Sequence, residues 1–208
     1  QKIYVFSYRK SQNNDYEHLE NVSYVNSIEE GISKSDAVVI CNRNDQHIEV
    51  AIKAALSKKH ILVEKPLSNN LDKVDYLKVL LEKNNLVFNP GFMLRYHPNL
   101  IFIRQLIDNR FLGDIYYANA TVGQYLPDWR PDTDYKNNYG SKYKWGGGVT
   151  LDLIHEIDLI HWFFGEIEIV SGLLGFTPKL GIETETISCI NMRTKSNIIC
   201  NIQLNYLR

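Results

Sequence analysis

Three short stretches of this chain gather residue types that do chemistry, each where a regular element ends or begins. The first is Cys41-Asn42-Arg43-Asn44-Asp45-Gln46-His47. Asn and Asp at the head of a helix cap it, and the free N–H groups there favour an anion such as a pyrophosphate. Plain capping accounts for the same residues. The second is Val63-Glu64-Lys65-Pro66. A lysine directly after a buried strand is poised to carry charge or a proton, and Pro66 permits a cis bond that sets the ammonium's direction. Taken alone, the tripeptide reads equally as a surface turn. The third is Gly146-Gly147-Gly148-Val149-Thr150-Leu151-Asp152-Leu153-Ile154-His155-Glu156-Ile157-Asp158. Three glycines let a backbone approach a ligand closely, and on one continuous helix Asp152 and His155 share a face. A carboxylate beside an imidazole binds a hydroxyl and moves its proton. His155-Glu156 also opens a His-Glu-x-x-His zinc pattern, but its second histidine position holds Leu159, so no metal is expected.

Positioning these residues takes a layered scaffold. Residues 2–7, 22–25, 36–41, 60–63 and 86–88 read as strands, with 36–41 buried. Residues 45–58 carry apolar side chains at 48, 51, 52, 55 and 56, a helical stripe, and 71–82 form a second amphipathic helix. Strands alternating with helices predict a parallel sheet of βαβ units, whose ligands gather at the carboxyl ends of the strands. After Asn89-Pro90-Gly91 the texture changes. A helix near 98–109, a strand near 115–123, an aromatic-rich loop over 124–146, a helix over 149–164 and strand-like runs near 168–175, 185–192 and 198–206 follow. The turn Thr194-Lys195-Ser196-Asn197 suits a hairpin. The fold class expected is α/β: an incomplete Rossmann-like parallel sheet over residues 1–90, then an α+β domain with a mainly antiparallel sheet over 91–208.

In the loop, Tyr135, Tyr139 and Tyr143 would share one face if that stretch were helical, and Trp129 sits before them. The loop is either a sugar-stacking lid or an oligomer contact, with ordinary aromatic packing as the plain account. Arg95 and Tyr96 are candidates to reach a substrate, Arg95 being equally suited to a salt bridge. Ser7-Tyr8-Arg9-Lys10 follows the strand that meets an adenosine ribose in such folds. Ser7 with Arg9 accommodates a 2′-phosphate, a slight lean to NADP over NAD.

The 208 residues suit one large domain or two small ones, and 23 basic against 24 acidic side chains leave a formal charge of −1. That balance gives no electrostatic case for nucleic acid or an anionic membrane as partner. No apolar run approaches a bilayer span, and no signal peptide is evident. A cytoplasmic protein is expected. Its three cysteines, Cys41, Cys189 and Cys200, lie among β-branched residues and read as reduced, buried structural thiols.

Taken together, four motifs resemble the Gfo/Idh/MocA oxidoreductases, the relatives of glucose–fructose oxidoreductase and inositol dehydrogenase. They are Asn42…His47, then His60-Ile-Leu-Val-Glu64-Lys65-Pro66-Leu67-Ser68, then Gly91-Phe-Met-Leu-Arg95-Tyr96-His97-Pro98, then the triple glycine with Asp152, His155 and Asp158. The resemblance extends along nearly the whole chain. It implies NAD- or NADP-dependent hydride transfer at a hydroxyl carbon of a sugar, cyclitol or nucleotide-sugar. It implies that Lys65 lies near nicotinamide and substrate, that His155 is the acid/base, and that Asp152 holds the substrate hydroxyl. On this reading Ser7, Arg9, Cys41, Asn42, His47, Glu64 and Lys65 serve the cofactor. Arg95, Tyr96, Trp129 and Asp152 serve a small sugar-like substrate. Family members commonly pair their C-terminal sheets, which implies a homodimer or homotetramer. The stretch from Tyr125-Leu-Pro-Asp-Trp129-Arg130-Pro131 to Asp158 looks like members from bacterial surface-sugar clusters.

The sequence also departs from the family. Its opening strand and Gly-rich pyrophosphate loop are absent, the usual proline after Asn42 is Arg43, and Asp152 and His155 are three rather than four apart. Both ends read as strands, which predicts an internal piece of a longer chain; two edge strands of a complete small protein are the other account. Family-level activity is therefore expected of the parent protein. The competing reading is an inactive truncated remnant serving only as a self-associating structural module.

Overall fold

The structure, a computed structural model, describes residues 2–7 and 19–208. They fall into two compact units, one comprising residues up to Asn42 with Gln46–Gly91, the other Arg43–Asp45 with Phe92–Arg208.

In the first unit, β1 (Ile3–Val5) pairs in parallel with β2 (Val22–Tyr24). Helix α1 (Ile28–Lys34) follows. It went unread in the sequence although Ser27 and Glu30 announce it: Ser27 Oγ accepts from Glu30 N at 3.0 Å, and the Glu30 carboxylate accepts from Asn26 N. Strand β3 (Ala37–Ile40) leads through a 3-10 turn (Asn44–Gln46) into α2 (His47–Leu56), then β4 (His60–Val63), α3 (Val74–Lys83) and β5 (Phe88–Pro90). The order β3-β4-β5 is parallel throughout, the βαβ arrangement expected.

Ala51, Ala54 and Ala55 have no exposed surface, so α2 lies close on the core formed with Ile40, Ile61, Val63 and Leu77. Two expectations need correction here. Strand β3 is buried on one side only, with Val39 67% exposed, because alternate strand residues face opposite ways. Leu56, counted in the helical stripe, is exposed at the end of α2.

In the second unit a 3-10 turn (Met93–Tyr96) precedes α4 (Pro98–Asp108), β6 (Tyr117–Gly123) and the short α5 (Leu126–Trp129). The aromatic loop is three separate 3-10 turns, Tyr135–Asn137, Tyr139–Ser141 and Tyr143–Trp145, so its tyrosines share no helical face. Helices α6 (Val149–Asp152) and α7 (His155–Phe164) come next, then β7 (Ile167–Gly175), β8 (Ile187–Thr194) and β9 (Ile199–Asn205). The sheet order is β6-β9-β8-β7; β7-β8 and β8-β9 are antiparallel and β6-β9 is parallel, hence mixed but mainly antiparallel. Ile190, Met192, Cys200, Ile202 and Leu204 alternate into one buried face, where they join Val149 and Ile160.

The expected single helix over 149–164 is broken. Leu153 leaves helical dihedrals (φ −103°, ψ 35°), and the ladder restarts with Asp158 N donating to Ile154 O. Asp152 thus closes α6 and His155 opens α7, so the predicted common helix face does not form. The cysteines are free, but only Cys200 is buried; Cys41 is exposed because β3 ends one residue before it.

Candidate functional site

Each unit carries its own group of candidate residues. In the first, His47 is buried, with Nδ1 2.7 Å from Pro66 O and Nε2 2.9 Å from Asn42 O. Its ring nitrogens therefore meet the chain's own backbone, tying the segment after β3 to the segment after β4. Asn42 Nδ2 donates to Gln46 Oε1 at 3.3 Å, while its Oδ1 is buried with no hydrogen-bond partner among the described residues. Lys65 is half-buried and joined to Pro66 by a cis peptide bond. Glu64 is exposed, and a side chain at Gly91 would come within 3.2 Å of its Oε2. Ser7 is exposed beyond β1; Arg9 lies outside the described residues.

In the second unit, Arg43 pairs with Asp45 and lies over the Trp145 ring at 4.7 Å, and Asn44 Nδ2 donates to Gly146 O. The triple glycine serves the chain itself. A Cβ at Gly147 would sit 2.2 Å from Tyr139 O, and one at Gly148, where φ is +117°, 2.4 Å from Glu185 Oε2. Gly147 and Gly148 thus leave room for the aromatic loop and a buried glutamate to come close. Glu185 accepts from Thr150 N through Oε1 and from Val149 N through its carbonyl, which caps α6.

Asp152 is 4% exposed, and its Oδ2 accepts from Tyr206 Oη at 2.6 Å. It lines a small cleft with Trp129, Arg130, Tyr139 and Gly140. Burial, with the nearby Asp152 charge, pushes the Tyr139 phenol up to about 12, against the opposing pull of Arg130. Burial and Asp152 push the Tyr206 phenol up as well. His155 is half-buried, its ring edge-on to Phe92 with centroids 6.2 Å apart. Arg95 lies over Phe92 at 5.7 Å and makes two hydrogen bonds to the buried Asp158, the salt-bridge alternative. That bond holds its guanidinium above its ordinary pKa. Tyr96 is exposed, and Trp129 packs edge-on to Tyr206.

Tyr206 and Glu185 were missed in the sequence. Neither stands near α6 in the chain; folding brings Tyr206 onto Asp152 and Glu185 onto the first residues of that helix.

Residues 2–92 match the family model for an oxidoreductase family with an NAD-binding Rossmann fold, and residues 101–208 match the GFO/IDH/MocA C-terminal domain. The chain belongs to the GFO/IDH/MocA family. This agrees with the resemblance drawn from its motifs, and with the nicotinamide cofactor class that resemblance implied. Myo-inositol 2-dehydrogenase of Thermotoga maritima is 31% identical over 132 residues, 63% of this chain and 36% of that protein. Glucose-6-phosphate 3-dehydrogenase of Bacillus subtilis is 27% identical over 165 residues, 76% of this chain and 45% of that protein. Among solved structures, the WlbA dehydrogenase of Bordetella pertussis in complex with NADH and UDP-GlcNAcA superposes with a TM-score of 0.79 at 20% identity. That alignment covers 90% of this chain and 54% of the other. A levoglucosan dehydrogenase in complex with NADH and levoglucosan gives 0.80 at 22% identity, over 89% and 52%. These two likenesses show the fold. The GFO/IDH/MocA chain here spans under half the length of these two sequence relatives and little over half of these two structures. Among the described residues no helix is long and apolar enough to cross a membrane.

Proposed function

We propose that the whole protein is an NAD(P)-dependent oxidoreductase moving a hydride to or from a hydroxyl carbon of a sugar, cyclitol or nucleotide-sugar. The observation that carries this reading is the order of the two family matches along one chain, with Glu64-Lys65-Pro66 in the first and Asp152, His155 and Asp158 in the second. Relatives named for inositol, glucose 6-phosphate and levoglucosan point to the same substrate class.

The residues present suit a dinucleotide. Beyond the carboxyl end of β3, the buried, unpartnered Asn42 Oδ1 is an acceptor that a cofactor hydroxyl or amide N–H would satisfy. Bound nicotinamide supplies the site that gains or loses the hydride. The chain supplies the rest. Asp152 holds the substrate hydroxyl by accepting its hydrogen bond as substrate binds; in the oxidation direction that single O–H proton then turns to His155, which takes it, and in reduction His155 returns it. Lys65 stabilises the developing alkoxide by its charge. Cys41, Asn42 and Glu64 serve the cofactor, and His47 keeps their segment in place. The protein acts as a homodimer or homotetramer, and its free thiols suit the reducing cytoplasm.

The test is an assay of the whole protein with NAD⁺ and with NADP⁺ against myo-inositol, glucose 6-phosphate, levoglucosan and uridine-diphosphate sugars. Reduction of one cofactor with at least one sugar-class substrate is expected. No turnover, together with no cofactor binding by calorimetry, overturns the reading and leaves the structural-module alternative.

A further inference from the structure

We infer that Tyr206 is a positioning residue, whose phenol fixes the carboxylate of Asp152 for the hydroxyl-binding task proposed above. The inference rests on that reading. Tyr206 has no exposed surface, and its backbone is held on two sides: its N–H donates to Thr186 O at 2.9 Å, and its carbonyl accepts from Leu126 N at 3.1 Å. Trp129 packs edge-on to its ring. The ring therefore has a fixed seat from which Oη donates to Asp152 Oδ2 at 2.6 Å, the short distance of a charge-assisted O–H···O⁻ bond.

Gly140 lies against the same oxygen. A Cβ at residue 140 would lie 2.8 Å from the same Oδ2 and 3.5 Å from Tyr206 Oη. The hydrogen-bonded oxygen thus sits against a phenol and, beside it, a glycine that has room for no side chain. Turning the carboxylate about its bond to Cβ breaks that hydrogen bond. The consequence is a set direction for the oxygen that meets substrate. Placement errors of about 1 Å at such groups cost on the order of 100-fold in rate.

The experiment is a double-mutant cycle in the whole protein, on the best substrate found in the assay above, with NAD(P)H affinity measured separately. Tyr206→Phe removes only the donor. It is expected to lower kcat/KM by roughly 10–100-fold with cofactor affinity unchanged, and to add less than about twofold in an Asp152→Asn background. A purely structural tyrosine gives losses that multiply in the double variant, and that result overturns the inference. So does a Tyr206→Phe protein within about twofold of wild type while Asp152→Asn is crippled; the functional reading then still stands. Near-wild-type Asp152→Asn instead overturns the role given to Asp152. If Tyr206→Phe fails to fold, Gly140→Ala carries the test, because it displaces the same Oδ2 and keeps the phenol. It must show the same coupled loss, and its absence overturns the inference.

Discussion

Arg95 and Asp158 lock together through two parallel hydrogen bonds, Nε to Oδ2 at 2.8 Å and Nη2 to Oδ1 at 2.6 Å. The pair is lopsided: the Asp158 side chain is 6% exposed and that of Arg95 35%. Removing one partner of a buried pair strands the other, and the cost depends on whether the survivor reaches water. Arg95→Met leaves a buried carboxylate unpaired and is expected to cost about 2–4 kcal/mol. Asp158→Asn leaves a guanidinium that water reaches, and about 1–2 kcal/mol is expected. Denaturant melts of both variants decide it; equal costs, or the reverse order, remove the asymmetry argument.

Burial of two phenols makes alkaline stability a second test. Tyr139 is pushed up to about 12, and Tyr206 is raised too, whereas a tyrosine in the unfolded chain titrates near 10. Between about pH 10 and 12 the unfolded chain has lost protons that the native protein keeps, so stability falls as pH rises through that window. Below about pH 10 the contribution is fully present. Lysines and cysteines titrate here as well, so the informative quantity is the difference from Tyr139→Phe. The slope of melting temperature against pH is expected to be shallower in that variant. An unchanged slope dissociates Tyr139 from the effect.

Local patterns in the sequence give much of this fold and little of its site. The stripe at Ile48, Ala51, Ile52 and Ala55 marks α2 because a helix repeats near 3.6 residues, and the alternation at Ser188, Ile190 and Met192 marks the buried and open faces of β8. The motif Ser27-x-x-Glu30 marked α1 and was available to be read. The break after Asp152 was not. No glycine or proline announces it, and Leu151 and Leu153 on either side suit a continuing helix. Nor does the pairing of Tyr206 with Asp152 leave a local trace, since it depends on how β9 docks beside α6. Gly147 and Gly148 illustrate a subtler limit. Their lack of side chains is plain in the sequence, but whether the neighbour is a ligand or the chain's own Tyr139 and Glu185 only the fold decides.

The open face of the C-terminal sheet supports a third prediction. Ser188, Ile190 and Met192 are buried, while on the other face Leu173 is 79% exposed, Ile199 43%, and Cys189 is half-buried. Cross-strand register sets Leu173 beside Cys189 and Ile199 beside Arg193, with a polar row of Ser171, Asn191 and Asn201 between them. Exposed apolar side chains set among uncharged polar ones suit a subunit interface, and a second copy of the chain is the expected occupant. Light scattering should give a dimer or tetramer, with Leu173→Lys shifting it towards monomer while the fold survives. A wild-type monomer at tens of micromolar contradicts the prediction.

The roles proposed for His155 and Lys65 are separable by kinetics in the whole protein. Hydride leaves a carbinol carbon most readily as its hydroxyl proton departs, so a base must reach that oxygen. His155 is half-buried at the start of α7, its ring set by Phe92, which Arg95 covers in turn. Histidine is the side chain whose charge changes nearest neutrality, and removing a positioned acid/base costs 10²–10⁴-fold in rate as an order of magnitude. His155→Asn is therefore expected to lower kcat within that range and to flatten the pH profile near neutrality, with NAD(P)H affinity intact. Lys65→Ala removes a charge rather than a proton carrier. It should lower kcat at least as far while leaving the neutral limb of the profile in place, and it can also weaken cofactor binding. Steady-state rates across pH, paired with calorimetric cofactor titrations, separate the two. If His155→Asn keeps more than about a tenth of wild-type turnover, against the loss expected of an acid/base, His155 is instead a packing partner of Phe92 and the proton leaves by another route.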